Sequence, residues 1–307
     1  MKSLNQNRAG LWPVMLTPFT DEGEVDYASL ERLIDWYEQN GVDGLFADCQ
    51  SSEIFFLSLE ERVKIASFVK THARVPVIAS GHVSEAPSQQ LEELKAIAST
   101  GVDALILITN RLVTAGRPQD SIMPRVLEIA REIPDIPLGF YECPYPFKRL
   151  ITLEELEQCR GMGRFRFMKD TCCDLALIEK RLGVLKGSDF GLYNANTTTC
   201  LDSILLGAGG FSGVMLSFHP DLYRLMTDLA ARGETDKARD VQAFLTVFSE
   251  IERQYYPVNA KYYLKTLGVL SSDFCRTKPK EGLTETFCDE VRQMDRAAAF
   301  LRRAYDV

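Results

Sequence analysis

Two residue types at two positions carry the most chemistry in this chain. Lys169 closes a largely apolar run, Phe165-Arg166-Phe167-Met168, and Tyr141 closes the β-rich run before it, Ile136–Tyr141. A lysine partly withdrawn from water has its ammonium form disfavoured, which makes the neutral amine available. A neutral amine attacks a ketone to give a carbinolamine and then an imine. The protonated imine withdraws electrons, so a bond beside the old carbonyl can break or form through an enamine. Such chemistry needs a proton shuttle, and a phenol on an adjacent strand end can serve.

The elements that would position these groups are legible as an alternation. Short apolar runs fall at Leu11–Leu16, Gly44–Ala47, Val75–Ala79, Ala104–Ile108, Ile136–Tyr141, Arg164–Lys169, Val184–Lys186 and Gly210–Met215. They recur roughly every 20–35 residues, the length of one strand, one helix and two short loops. Between them the apolar positions take helical spacing, as in Leu30, Leu33, Ile34 and Tyr37 ahead of Gly41. Ser58 with Glu61, and Thr152 with Glu155, read as capping boxes. Strands alternating with helices imply a parallel sheet, and eight such units imply a closed (β/α)₈ TIM barrel. From about Asp221 onward the pattern is helical only, so the reading is a barrel over 1–220 and a C-terminal helical extension over 221–307.

In such barrels the active site lies at the C-terminal ends of the strands. Besides Tyr141-Glu142 and Lys169-Asp170, those ends are Thr17, Cys49-Gln50-Ser51-Ser52-Glu53, Ser80-Gly81-His82, Thr109-Asn110-Arg111, Gly187-Ser188-Asp189 and Ser212-Gly213. His82 is read as a rim hydrogen-bonding residue, and Asp189 and Glu142 as either polar substrate contacts or solvated carboxylates. The glycine-rich Gly207–Gly213 segment lacks the lysine and hydroxyl of a phosphate loop and reads as close packing at the eighth strand.

Composition excludes several classes. The formal charge is −8, from 35 Lys+Arg against 43 Asp+Glu, which leaves no electrostatic footprint for nucleic acid or an anionic membrane. No stretch approaches the roughly 18 apolar residues of a membrane span, and no signal-peptide pattern opens the sequence, so a cytoplasmic protein is expected. Eight cysteines without a CxxC pair, and three histidines, give no metal-ligand spacing. No metal and no organic cofactor are expected.

The chain also resembles the dihydrodipicolinate synthase / N-acetylneuraminate lyase superfamily. The resemblance runs through Leu16-Thr17-Pro18-Phe19, Gly41-Val42-Asp43-Gly44-Leu45, Glu53 with Leu57, Ser58, Glu61 and Arg62, Gly101-Val102-Asp103-Ala104-Leu105, Tyr141-Glu142-Cys143-Pro144, Met168-Lys169-Asp170-Thr171 and Gly207–Gly210. It implies that Lys169 is the Schiff-base nucleophile and Tyr141 the proton shuttle. It further implies that Ser51, with Gln50, Ser52 and local N–H groups, holds a substrate carboxylate. Gly187 and Ser212 are taken as further substrate-binding positions, the second within the segment that lines the family's pyruvate site.

The departures bear on substrate. The family's carboxylate loop has two glycines and paired hydroxyls where this chain has Cys49-Gln50-Ser51-Ser52. The paired tyrosines of the synthases are replaced by Thr109-Asn110-Arg111-Leu112, and their arginine after the catalytic tyrosine by Pro146. A true dihydrodipicolinate synthase is therefore disfavoured. The resemblance implies a class I lyase or aldolase acting on pyruvate or a pyruvate-derived 2-oxo acid such as a 2-keto-3-deoxy sugar acid, and a homotetramer. A dehydratase or hydratase-aldolase, and a non-catalytic 2-oxo-acid-binding protein on a decayed lyase scaffold, stand as alternatives. The roles of Arg111, Lys148 and Arg149 stay open.

Overall fold

The computed structural model describes residues 8–114 and 116–306. The first half of the barrel runs β1 Gly10–Leu11, α1 Tyr27–Gln39, β2 Leu45–Phe46, α2 Leu59–His72, β3 Val77–Ala79, α3 Pro87–Ala98, β4 Ala104–Ile108 and α4 Met123–Glu132. The second half runs β5 Leu138–Tyr141, α5 Leu153–Gly161, β6 Phe165–Asp170, α6 Leu175–Leu185, β7 Gly191–Asn194, α7 Cys200–Leu205, β8 Gly210–Phe211 and α8 Pro220–Ala231. All strand pairs are parallel, in the order β1-β8-β7-β6-β5-β4-β3-β2. A bridge between Val14 and Phe46 joins the two ends and completes the (β/α)₈ barrel.

Local chemistry explains the element ends. Ser58 and Thr152 each accept from the N–H of the glutamate three residues on, while Glu61 and Glu155 reach back to the cap. These reciprocal bonds satisfy amides that a helix start leaves open. The strands are almost wholly buried, as expected where helices cover a parallel sheet from outside and side chains fill it from within. Inside the barrel, Trp12, Phe46, Ile78, Ile106, Phe167 and Tyr193 form one cluster, and the helices pack a second, larger one around it. Gly44 has to be glycine, because a Cβ there would meet the Trp12 ring at 2.3 Å. At Gly210 a Cβ would lie 1.9 Å from the carbonyl oxygen of Gly10. The glycine-rich segment is thus spent on closing β8 against β1.

One strand lies elsewhere than the sequence pattern indicates. Val184–Lys186 is the last turn of α6 and its cap, and the seventh strand is Gly191–Asn194. The helix persists because Asp174 caps it and Ile178, Arg181 and Leu185 carry its buried face to the end. Gly187, at φ +75°, therefore sits at the start of the connection into β7, away from the catalytic end.

After α8, which packs on β1, come α9 Thr235–Phe248, α10 Val258–Thr266 and α11 Glu285–Tyr305. Two 3₁₀ turns meet beside the barrel: Val214–Ser217 follows β8, and Ser249–Arg253 follows α9 and packs against the first. That contact brings the C-terminal helical segment to the mouth of the barrel. No helix among the described residues is long and apolar enough to cross a membrane.

Candidate active site

Register places Lys169 and Tyr141 side by side. Tyr141, the last residue of β5, pairs with Lys169 of β6, and Lys169 pairs in turn with Tyr193 of β7. The Lys169 ammonium nitrogen stands 4.5 Å from the centroid of the Tyr141 ring, and each residue is only 4 % exposed. Burial lowers the Lys169 pKa from its ordinary value, against smaller opposing pulls from Cys49, Cys143 and Glu252. No carboxylate among the described residues lies within ion-pair distance of its nitrogen. Burial pushes the Tyr141 phenol well above its ordinary range, with the Cys143 and Cys49 thiols adding to the shift. The resting tyrosine is therefore a neutral phenol.

Both groups open into one cavity of about 480 Å³ at the C-terminal ends of the strands. Gln50 and Ser51 line it from a 3₁₀ turn, Gln50–Ser52, that follows β2. Gln50 Oε1 accepts from the Cys143 thiol at 3.3 Å. Ser51 faces the Tyr256 hydroxyl, which finds no hydrogen-bond partner among the described residues. Ala195 and Gly213 add backbone-rich wall, while Phe55, Phe56, Pro144, Tyr145, Val214 and Pro257 make most of the lining apolar. Phe55 and Tyr145 meet edge to face at 5.1 Å across the mouth.

Three residues read as substrate-binding have other work. Ser52 is fully buried, with its hydroxyl 2.7 Å from the Met15 carbonyl oxygen and accepting from the Cys49 N–H. It holds the loop in place and does not face the cavity. Ser212 donates to the Trp12 carbonyl at 2.8 Å, and its neighbours Gly213 and Val214 supply the wall instead. Gly187 lies at the opposite end of β7, whose C-terminal end presents Ala195 to the cavity. Gln50 and Ser51 do line the cavity with Lys169 and Tyr141.

The charged residues around the strand ends form a frame. Glu142, beside Tyr141, and Asp170, beside Lys169, are fully buried and share one partner, Arg181 of α6. Glu142 also accepts from the backbone N–H groups of Ile151 and Thr171, so it is neither a substrate contact nor solvated. A second buried pair, Lys261–Glu53 at 2.6 Å, ties the loop after β2 to α10. Glu53 takes the left-handed conformation, φ 59°, and its other oxygen accepts from the Thr277 N–H at 2.7 Å. Lys148 donates to the Thr171 carbonyl and Arg149 pairs with Glu155, so neither replaces the missing arginine. Arg111 stands over the Phe55 ring and lines a separate cavity. Among the described residues no cluster of His, Cys, Asp and Glu suits a metal.

His82 is buried, with Nε2 accepting from the Ile108 N–H at 2.7 Å. Burial, with nearby Arg111, Arg125 and Arg62, lowers its pKa to about 3. An unfolded histidine takes up a proton near pH 6.5. Between pH 6.5 and 3 the unfolded chain binds more protons, so acidification through that window favours unfolding. In His82→Gln, whose amide oxygen can accept the same bond, the urea midpoint should fall less steeply between pH 7 and 4.5. An unchanged slope would mean that His82 does not carry this dependence.

Sequence reasoning missed the contribution of the C-terminal segment. Glu252, Tyr256, Thr277 and Lys278 all line the Lys169 cavity. Glu252 sits in a polar stretch that reads locally as a solvated helix end. The only local signal was Tyr255-Tyr256-Pro257, where a proline marks the start of α10.

A model of the dihydrodipicolinate synthetase family matches residues 7–297. The chain belongs to that family, whose members are lyases. It is 25 % identical over 260 residues to a 4-hydroxy-tetrahydrodipicolinate synthase of Shewanella piezotolerans, covering 84 % of this chain and 87 % of that one. A second relative of the same name, from Shewanella sp. strain MR-7, is 27 % identical over 265 residues, covering 85 % and 88 %. Among solved structures, dihydrodipicolinate synthase DapA-2 of Bacillus anthracis superposes with a TM-score of 0.83 at 21 % identity, covering 93 % of this chain and 97 % of that one. The prophage protein YagE of E. coli K12, solved with pyruvate, gives 0.82 at 21 % identity, covering 96 % and 98 %. CdNal of Clostridium difficile, solved with mannosamine, gives 0.83 at 20 %, covering 94 % and 98 %. At these identities the structures establish the shared fold.

Proposed function

We propose that this family member is a class I lyase that binds pyruvate, or a 2-oxo acid that yields it, as an imine on Lys169. The observation that carries the reading is Lys169 itself: buried, free of any carboxylate partner among the described residues, and in register with Tyr141 at the wall of a cavity. A lysine so placed keeps a usable fraction of neutral amine, and nucleophilic attack on the oxo carbon follows. Ser51 and Gln50 hold the carboxylate, and Tyr141 carries protons during carbinolamine breakdown. Time-dependent inactivation by borohydride that requires pyruvate tests the imine. Inactivation that does not depend on pyruvate would contradict it. Turnover of the bound acid separates a lyase from a binding protein on the same scaffold.

The apolar lining favours a particular second substrate half. Phe55, Phe56, Pro144, Val214 and Pro257 offer apolar contact area with no side-chain hydrogen-bond partners for a chain of hydroxyls. Buried hydroxyls left unpaired are costly. A 4-hydroxy-2-oxo acid with an aromatic tail should therefore be cleaved with kcat/KM at least about tenfold above that of a polyhydroxylated one. Pyruvate release measured across a matched series checks this, and preference for the polyol would overturn the substrate class while leaving the imine intact. Assembly as a homotetramer belongs to the same proposal and is tested by light scattering in solution.

A further inference from the structure

The relay tyrosines of the family's synthases are missing from their usual place here, and the cavity holds a carboxylate, Glu252, with no hydrogen-bond partner among the described residues. Glu252 reaches the barrel mouth from the 3₁₀ turn after α9, on the side of β8, because that turn packs on the turn following β8. It lines the same cavity as Lys169. Its carboxylate takes no hydrogen bond among the described residues, in contrast to Glu53 and Glu142, which are fully engaged. Tyr141 approaches Lys169 from the neighbouring strand, β5, so the two acid–base groups come from different elements of the site.

We propose that Glu252 is the catalytic base that removes the C3 proton of the pyruvate imine, and the acid that returns it. This rests on the imine reading of Lys169. The C3–H bond breaks and the proton passes to a Glu252 oxygen. The C–H electron pair becomes the C2=C3 bond, and the imine π pair moves onto nitrogen to give the enamine. The reverse transfer protonates C3 and regenerates the iminium. No other reactant enters.

Electrostatics fit this cycle. Burial raises the Glu252 pKa to about 7, with Lys169 and Arg253 pulling the other way and Glu250 reinforcing the rise. Tyr223 of α8 and Tyr256 also feel its charge, and Glu53 and Lys278 share the cavity wall. When Lys169 is a neutral amine the carboxyl loses its main counter-charge. Formation of the iminium restores a positive charge at that position, which favours the carboxylate when a base is needed. A group with a pKa near the working pH is suited to both directions of transfer. Tyr141, held as a neutral phenol, is a poorer base for carbon acids at that pH.

The test follows loss of the pyruvate methyl proton signal in deuterium oxide, beside borohydride trapping, for wild type, Glu252→Gln and Glu252→Asp. Wild type should exchange with a rate that rises through about pH 7 and then levels, since the base must be deprotonated. Glu252→Gln should trap as much adduct on Lys169 as wild type, yet exchange about 100-fold more slowly and without that limb. Glu252→Asp, which keeps the carboxylate on a shorter arm, should retain the limb at a reduced rate and so exclude a folding defect. Exchange at the wild-type rate in Glu252→Gln would overturn the assignment. So would loss of the adduct in that variant, which would place the carboxylate in imine formation instead. Absence of the adduct in wild type would overturn the imine reading itself, and this assignment with it.

Discussion

Lys169→Ala is expected to lose pyruvate-forming or pyruvate-consuming turnover by a factor on the order of 10⁶, the scale set by removing a covalent nucleophile from a working site. The loss should appear in kcat and kcat/KM alike. A missing nucleophile cannot be replaced by tighter binding of the ground state. The same variant should be at least as stable as wild type. Burial works against the Lys169 ammonium, so the folded state gains nothing from holding it there. The side chain also borders an open cavity, and its truncation leaves no sealed void. Activity measured beside a urea melt checks both halves. Residual turnover within about tenfold of wild type would contradict the nucleophile assignment.

Arg181→Met carries the largest expected effect on stability. Its guanidinium is fully buried between Glu142 and Asp170, at 2.6 Å from Glu142 Oε1, and also donates to the Ile151 carbonyl. Although burial alone disfavours the cation, the two carboxylates outweigh it and hold Arg181 charged. Methionine of similar volume would leave two adjacent buried carboxylates with no counter-charge. Breaking a buried pair from one side costs about 3–5 kcal/mol. The urea midpoint should fall accordingly with little change in slope. A fall of less than about 1 kcal/mol would show that water or proton uptake replaces the pair at small cost. The two carboxylates directly follow Tyr141 and Lys169 in sequence, so this ion triad fixes the ends of β5 and β6. Surviving Arg181→Met protein should therefore also show weakened imine formation.

How much of this was legible in the sequence depended on whether a signal was local. The barrel was readable because helix caps at Ser58 and Thr152 and buried strand runs such as Ala104–Ile108 state their own structure. The adjacent strand-end positions of Lys169 and Tyr141 were readable for the same reason, since each ends an unmistakable apolar run. The seventh strand was not. Val184 and Leu185 have β-rich character locally, but the buried face of α6 carries them into a helix, and the error displaced Gly187 to the wrong end of the barrel. Ser52 and Ser212 were misread because a hydroxyl at a strand end looks the same whether it meets a ligand or a carbonyl. Only packing showed that Met15 and Trp12 receive them. Glu252, Thr277 and Lys278 reach the cavity through contacts between segments far apart in the chain, which no window of sequence contains.

The most direct test of the central claim is borohydride reduction in the presence of pyruvate, followed by intact mass and peptide mapping, with Lys169→Ala treated alongside. The imine account predicts a mass increase of one reduced pyruvate per chain, located on the peptide that carries Lys169 and absent from the variant. No adduct with pyruvate or with longer 2-oxo acids, or an adduct that persists in Lys169→Ala, would contradict it.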